Sequence, residues 1–187
     1  MRGAAVVLAA GASTRMGRPK ADLPYLGGTF LSLVLERLEV VGADWLRVVV
    51  APGAEVPGAL QNPDPAPGPI SSIQLALRAG AAEEPWLLVA RVDYPAVQAS
   101  TYAALARAAR AGGGDLWVPT FGGRRGHPVV FGRACYEDLL RVPPGQGARW
   151  VAGRRAGRRV EVPVEDPAIH WNIDTPEDYA RLLRHPP

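Results

Sequence analysis

The chain has 187 residues, is 48% apolar and 21% charged, and carries a formal net charge of +3, the balance of an ordinary water-soluble globule. No apolar run approaches the roughly 20 residues that span a bilayer. The single cysteine, Cys135, excludes an internal disulfide and a Cys/His zinc site, and points to a reducing, cytoplasmic setting. The basic residues are scattered apart from Arg124-Arg125 and Arg154, Arg155, Arg158 and Arg159. No aromatics are interleaved with them, so they read as solvated surface and not as a nucleic-acid footprint.

The N-terminal stretch from Gly3 to Ala9 is a short continuous apolar run, suited to a parallel strand buried on both faces and unlike a signal peptide. A polar segment from Ala10 to Lys20 follows, then a helix from Thr29, its N-cap, to Val41. The pattern continues with a strand at Leu46–Val50, a Pro/Gly-rich loop from Ala51 to Pro69, a helix at Ile70–Ala82 and a strand at Trp86–Ala90. Ser100 is placed as the cap of a helix ending at Ala111, before a strand at Leu116–Val118. The alternation then loosens. A strand is expected at Pro128–Phe131, helices near Arg133–Arg141 and Gln146–Ala152, and a strand at Val160–Val164. A helix at Thr175–Leu183 closes the chain, with Thr175 and Asp178 as a capping box. There is no internal repeat and no dividing linker, so residues 1–187 are expected to form one α/β domain with a mostly parallel sheet. Ligands in such sheets bind beyond the carboxyl ends of the strands.

The segment Leu8-Ala-Ala-Gly-Ala-Ser-Thr-Arg-Met-Gly-Arg-Pro-Lys20 sits at one of those ends. Gly11 and Gly17 allow positive φ and close backbone approach, Ser13 and Thr14 add hydroxyl donors, and Arg15 and Lys20 supply charge for phosphate oxygens. The segment is neither a Walker A loop nor G-x-G-x-x-G. Of the 21 basic residues only Lys20 is lysine, the flexible point charge that can follow a moving phosphate. Asp93, just past the third strand, is positioned to hold Mg²⁺ against a triphosphate, since Mg²⁺ takes few carboxylates plus phosphate oxygens. No G-x-S-x-G elbow supports a hydrolase built on Ser13 and His127.

Leu8 to Lys20 resembles the LAAGxSxRMGxxK signature of the molybdenum cofactor nucleotidyltransferases, and is similar to the loop of sugar-phosphate and isoprenoid-pathway nucleotidyltransferases. Further segments resemble the same family in the same order: Asn62-Pro with Gly68-Pro-Ile-Ser71-Ser72, Val92-Asp93-Tyr94-Pro95, Gly126-His127-Pro128-Val-Val-Phe131 and Asn172-Ile-Asp174-Thr-Pro-Glu-Asp178. The resemblance implies a Rossmann-like three-layer fold of the nucleotide-diphospho-sugar transferase type, and Mg²⁺-dependent transfer of a nucleotidyl group from a nucleoside triphosphate to a phosphorylated acceptor, molybdopterin. It implies nucleotide contacts from Leu8, Ala9, Ala10, Gly11, Ser13, Arg15, Lys20, Asn62, Gly68, Ser71 and Ser72. Arg15, Lys20 and Asp93 become the catalytic set, Asp93 and Asp174 the metal ligands, and Gly126, His127 and Pro128 the acceptor side. Leu-Ala-Ala-Gly resembles the cytidylyltransferase branch, so Ala10 leans towards CTP over GTP. The chain departs from the family where Arg91 and Val92 precede Asp93 and where Gln146 replaces an Asp, which puts the acceptor in question before the reaction. The alternatives are transfer to a sugar or alditol phosphate, and a nucleotide-binding module without catalysis. A glycosyltransferase ranks below both, because Arg91-Val92-Asp93 supplies one carboxylate where an Asp-x-Asp motif has two.

Overall fold

A computed structural model describes residues 2–186. Strand β1 (Ala4–Ala9) is buried on both faces: Ala5 and Val7 enter one apolar cluster, Ala4, Val6 and Leu8 the other. Its parallel neighbours are β4 (Trp45–Val50) on one side and β6 (Trp86–Arg91) on the other. Between β1 and β4 lie a small hairpin, β2 (Pro24–Tyr25) with β3 (Gly28–Thr29), and helix α1 (Phe30–Leu38). Thr29 caps α1 in a reciprocal box with Ser32, and a 3-10 turn at Glu39–Val41 completes the segment expected to be helical. The hairpin escaped the sequence because two-residue strands carry no periodicity.

The loop after β4 is also less irregular than its composition suggests. It contains β5 (Leu60–Gln61), which adds to β4 in parallel and leads through Gly68 into α2 (Pro69–Arg78). After β6 come α3 (Ala99–Ala111), β7 (Leu116–Phe121), β8 (Arg124–Arg125) and β9 (Val129–Gly132). A 3-10 turn from Arg133 to Cys135 precedes α4 (Tyr136–Leu140), followed by α5 (Ala148–Arg154), β10 (Arg159–Pro163) and α6 (Pro176–Arg184). The sheet order is β10-β7-β9-β6-β1-β4-β5, with β8 paired to β7. Strand β9 runs antiparallel to both β6 and β7, so the sheet is mixed but mostly parallel. Helices α1, α3 and α6 cover one face and α2, α4 and α5 the other. No helix among the described residues is long and apolar enough to cross a membrane.

Two local expectations change. Ser100 is not a cap: α3 begins after Gln98, which makes no side-chain cap bond. Its first turn is held instead by Asp166, from beyond β10, whose buried carboxylate accepts from the Gln98 amide at 2.9 Å, the Thr101 hydroxyl at 2.7 Å and the Ala168 amide at 3.0 Å. Asp166→Ala removes the acceptor from three donors, two of them buried, so a loss of about 3 kcal/mol is expected, measured by urea unfolding. The arginines near residue 155 are not simply solvated. Arg155 reaches Asp138 at 2.7 Å and Asp115 at 3.4 Å, and Arg158 reaches Asp115 at 3.5 Å, tying α5 to α4 and β7. Cys135 is buried as expected, its thiol donating to the Asp115 carbonyl at 3.1 Å and pushed up to about 11 by burial.

Candidate active site

The chain leaves β1, builds outward through β4 and β5, and then returns to place β6 on the opposite side of β1. The carboxyl ends of β1 and β6 thus flank a switch point, where the adjoining loops diverge and leave a crevice. A cleft of about 280 Å³ opens there, lined from β1 and its loop, from the start of α2, from Arg91, Val92 and Asp93, and from Asp174.

The loop from Ala10 to Lys20 is held at two points. Met16 is buried in the core, and Ser13 bonds on both sides: its carbonyl accepts from the amides of Met16 and Gly17, and its hydroxyl from the amide of Lys20 at 3.2 Å. The left-handed residues are Ser13 (φ 50°) and Gly17 (φ 75°). Gly11 has no positive φ, and a Cβ built on it would meet nothing within 4 Å. Its lack of a side chain therefore keeps the cleft open rather than permitting a turn. Among the described residues, the amides of Gly11 to Arg15 find no acceptor in the protein, the condition of a loop that receives an anion. Opposite it, α2 begins after Gly68, whose φ of 83° only glycine adopts cheaply, and no side chain caps that helix. Pro69 has no N–H and the Ser71 amide bonds the Gly68 carbonyl, so this helix start meets the cleft through Gly68, Pro69 and Ser72 and through the positive end of its dipole.

Charged groups converge beneath the loop. Lys20, 9% exposed, donates to Asp174 at 2.5 Å and lies 3.7 Å from Asp93. Arg15 pairs with Asp174 from the solvent side, and Arg91 donates to Asp93 at 2.6 Å. The Lys20 ammonium holds the Asp174 carboxyl below the ordinary carboxylate range. Asp93 and Asp174 are neighbours because the Ile173 amide donates to the Asp93 carbonyl at 2.8 Å. The second carboxylate oxygen of Asp93 is buried without a partner. Among the described residues no cluster of three or more His, Cys, Asp or Glu exists. Two carboxylates, one with an orphaned oxygen, fit Mg²⁺, which completes its shell with waters and phosphate oxygens.

The other residues singled out from sequence divide into two groups. Leu8, Ala9, Ala10, Gly11, Ser13, Arg15, Lys20, Gly68, Ser72, Asp93 and Asp174 line the cleft. Asn62 does not. Its buried amide donates to the Ser71 and Ser72 hydroxyls at 2.8 and 3.0 Å, so Asn62 and Ser71 brace the start of α2. Gly126, His127 and Pro128 lie beside the cleft. A Cβ on Gly126 would sit 2.4 Å from the Ile169 carbonyl oxygen, so this glycine serves close backbone packing. His127, joined to Pro128 by a cis peptide bond, stacks obliquely on Tyr94 with centroids 4.8 Å apart. Ala12, Thr14, Pro65 and Pro69 also line the cleft, although the sequence alone singled out only Thr14 among them.

Burial, together with Arg91 and Arg149, lowers the His127 imidazole to about 4. The unfolded chain takes up a proton near pH 6.5 and the folded chain near pH 4. The stability linked to this group is therefore complete above about pH 6.5 and lost as pH falls towards about 4. Acidification across that window should cost up to about 3 kcal/mol in the wild type and distinctly less in His127→Gln, measured by chemical unfolding at each pH.

The MobA-like NTP transferase domain family matches residues 5–160. A relative from Opitutus terrae, a "Probable molybdenum cofactor guanylyltransferase", is 36% identical over 97% of this chain and 95% of its own. A second, the "Nicotine blue oxidoreductase" of Paenarthrobacter nicotinovorans, is 30% identical over 95% of both chains. The crystal structure of Rv0371c from Mycobacterium tuberculosis H37Rv superposes with a TM-score of 0.83 at 26% identity, over 99% of this chain and all of that one.

Proposed function

We propose, from the premise that this chain belongs to the MobA-like NTP transferase family, that its residues 1–187 act as one domain that transfers a nucleotidyl group from a nucleoside triphosphate to a phosphorylated acceptor, molybdopterin. The observation that carries the reading is the position of Lys20, buried between Asp93 and Asp174 under a loop of unpaired amides.

The loop amides and the start of α2 receive the triphosphate, with Arg15 and Lys20 neutralising its oxygens. Asp93 and Asp174 would hold Mg²⁺, which supplies Lewis-acid polarisation of the phosphates and a template for in-line geometry. An oxygen of the acceptor's phosphate attacks the α-phosphorus, the bond to the β-phosphate oxygen breaks, and pyrophosphate leaves. That nucleophile is already ionised near neutral pH, so the protein needs no strong general base. His127, lowered to about 4 by burial and outside the cleft lining, is too weak a base to be given a proton-transfer role. Catalysis then rests on positioning and on fixed charge.

For the base we infer CTP ahead of GTP. Ala10 is buried and lines the cleft, so its methyl group fills space that a glycine would leave to a larger base. The guanylyltransferase name of the Opitutus relative points the other way, which makes Ala10→Gly informative. The variant should shift the CTP/GTP ratio of kcat/KM towards GTP by about tenfold, a steric difference of one methyl. A wild type that already prefers GTP would overturn the inference.

The deciding experiment is pyrophosphate release with Mg²⁺ and molybdopterin, with CTP, GTP, ATP and UTP supplied separately. Release with one nucleotide supports the reading, while release only with sugar or alditol phosphates moves the acceptor to that class. Tight nucleotide binding without release from any acceptor would favour a binding module. The name of the Paenarthrobacter relative makes pyrophosphate, and not membership of the family, the deciding readout.

A further inference from the structure

Arg91 ends β6, opposite Leu8 of β1, and its side chain stands between two surroundings. On one side is the charged cleft, where it donates to Asp93 at 2.6 Å. On the other is Tyr94, whose ring centroid lies 5.5 Å from the guanidinium carbon and which itself packs on His127. Among the described residues, that bond to Asp93 is the only hydrogen bond the guanidinium makes, although it carries five N–H donors. The side chain is 28% exposed and lines the cleft, so the remaining donors are open to a ligand.

The charges in the cleft show where Arg91 is surplus. Asp174 already pairs with Arg15 and Lys20, and Asp93 has Lys20 nearby. Three cations thus meet two carboxylates. If those carboxylates turn to a metal and the triphosphate takes Arg15 and Lys20, Arg91 keeps its charge and loses its partner. It is then next to the Tyr94–His127 pair and needs an anion. A planar fork beside the Tyr94 ring suits a phosphate carried on an aromatic or other planar group.

We propose that Arg91 determines acceptor specificity by leaving Asp93 and binding the acceptor's phosphate. This rests on the transferase reading given above. The test is calorimetric titration of phenyl phosphate into enzyme saturated with Mn²⁺ and the non-hydrolysable α,β-methylene analogue of CTP, for wild type, Arg91→Met and Arg91→Lys. Arg91→Met should weaken phenyl phosphate binding at least about tenfold, as for a lost charge-assisted hydrogen bond, and leave analogue affinity within about twofold. Arg91→Lys should fall between, because it retains the charge without the fork. Phenyl phosphate affinity unchanged in Arg91→Met, or absent in the wild type, would overturn the proposal. So would a loss confined to the nucleotide analogue, or tighter Mn²⁺ binding as the sole effect, which would make Arg91 only a lock on Asp93. A wild type that holds phenyl phosphate through Arg91 yet transfers nothing to any acceptor would sink the transferase reading and leave the anion site standing.

Discussion

Lys20→Ala should lower kcat for pyrophosphate release by about 10²–10³, the usual loss when one preorganised donor to developing charge is removed, while KM for the nucleotide rises less than about tenfold. The asymmetry follows from where the ammonium sits. Lys20 is neutralised by Asp174 at 2.5 Å and is close to Asp93 at 3.7 Å. Its charge becomes available to phosphate only when those carboxylates are otherwise engaged, so it acts late, on the reacting complex. On the proposed reading, ground-state affinity comes largely from the loop amides, which the substitution leaves in place. Lys20→Arg should not restore turnover, because a side chain only 10% exposed leaves no room for a planar fork. Removing Lys20 also removes what holds the Asp174 carboxyl down, so the variant's Asp174 should titrate at higher pH. Steady-state kinetics with the nucleotide varied check the prediction. An unchanged kcat would strip Lys20 of its role.

Asp93→Asn should separate stability from activity. Pyrophosphate release is expected to fall at least about 10³-fold, since a bound metal would supply several kcal/mol of charge stabilisation and Asp93 is the proposed main ligand. The melting temperature should hold within a few degrees or rise. One oxygen of this carboxylate is buried with no partner, an arrangement that costs folding energy, and an amide of the same shape removes the buried charge while still accepting from Arg91. Differential scanning calorimetry beside the activity assay decides the matter. If melting temperature and activity collapse together, Asp93 is a structural partner of Arg91 and not a metal ligand.

The sequence was most legible where the chemistry is local. The β1 strand shows as an unbroken apolar run, and the loop that lines the cleft shows as glycine, hydroxyl and charge at short spacing. Thr175 and Asp178 bond as the capping box their spacing predicts. Legibility failed where a contact joins distant parts of the chain. Nothing near Gln98 announces that its helix is held by Asp166, 68 residues on. Asn62 looks like a ligand-binding residue among the motifs, and only the bonds to Ser71 and Ser72 reveal it as a brace. The antiparallel turn of β9 is likewise invisible to periodicity, because a buried strand has the same apolar pattern in either direction. Arg91 was visible as a departure from the family pattern, but its bond to Asp93 and its contact with Tyr94 had to be seen in three dimensions.

The bond from the Ile173 amide to the Asp93 carbonyl has a consequence for synthesis. Lys20 and Asp174 are 154 residues apart, yet they share one ion pair. At about 5–20 residues per second, translation separates them by roughly eight to thirty seconds. Through that interval the nascent chain carries a cationic loop whose second carboxylate has not been made, and β1 waits for β4 and β6 to cover its edges. The loop therefore gains its second carboxylate only when the 173–174 segment docks on Asp93.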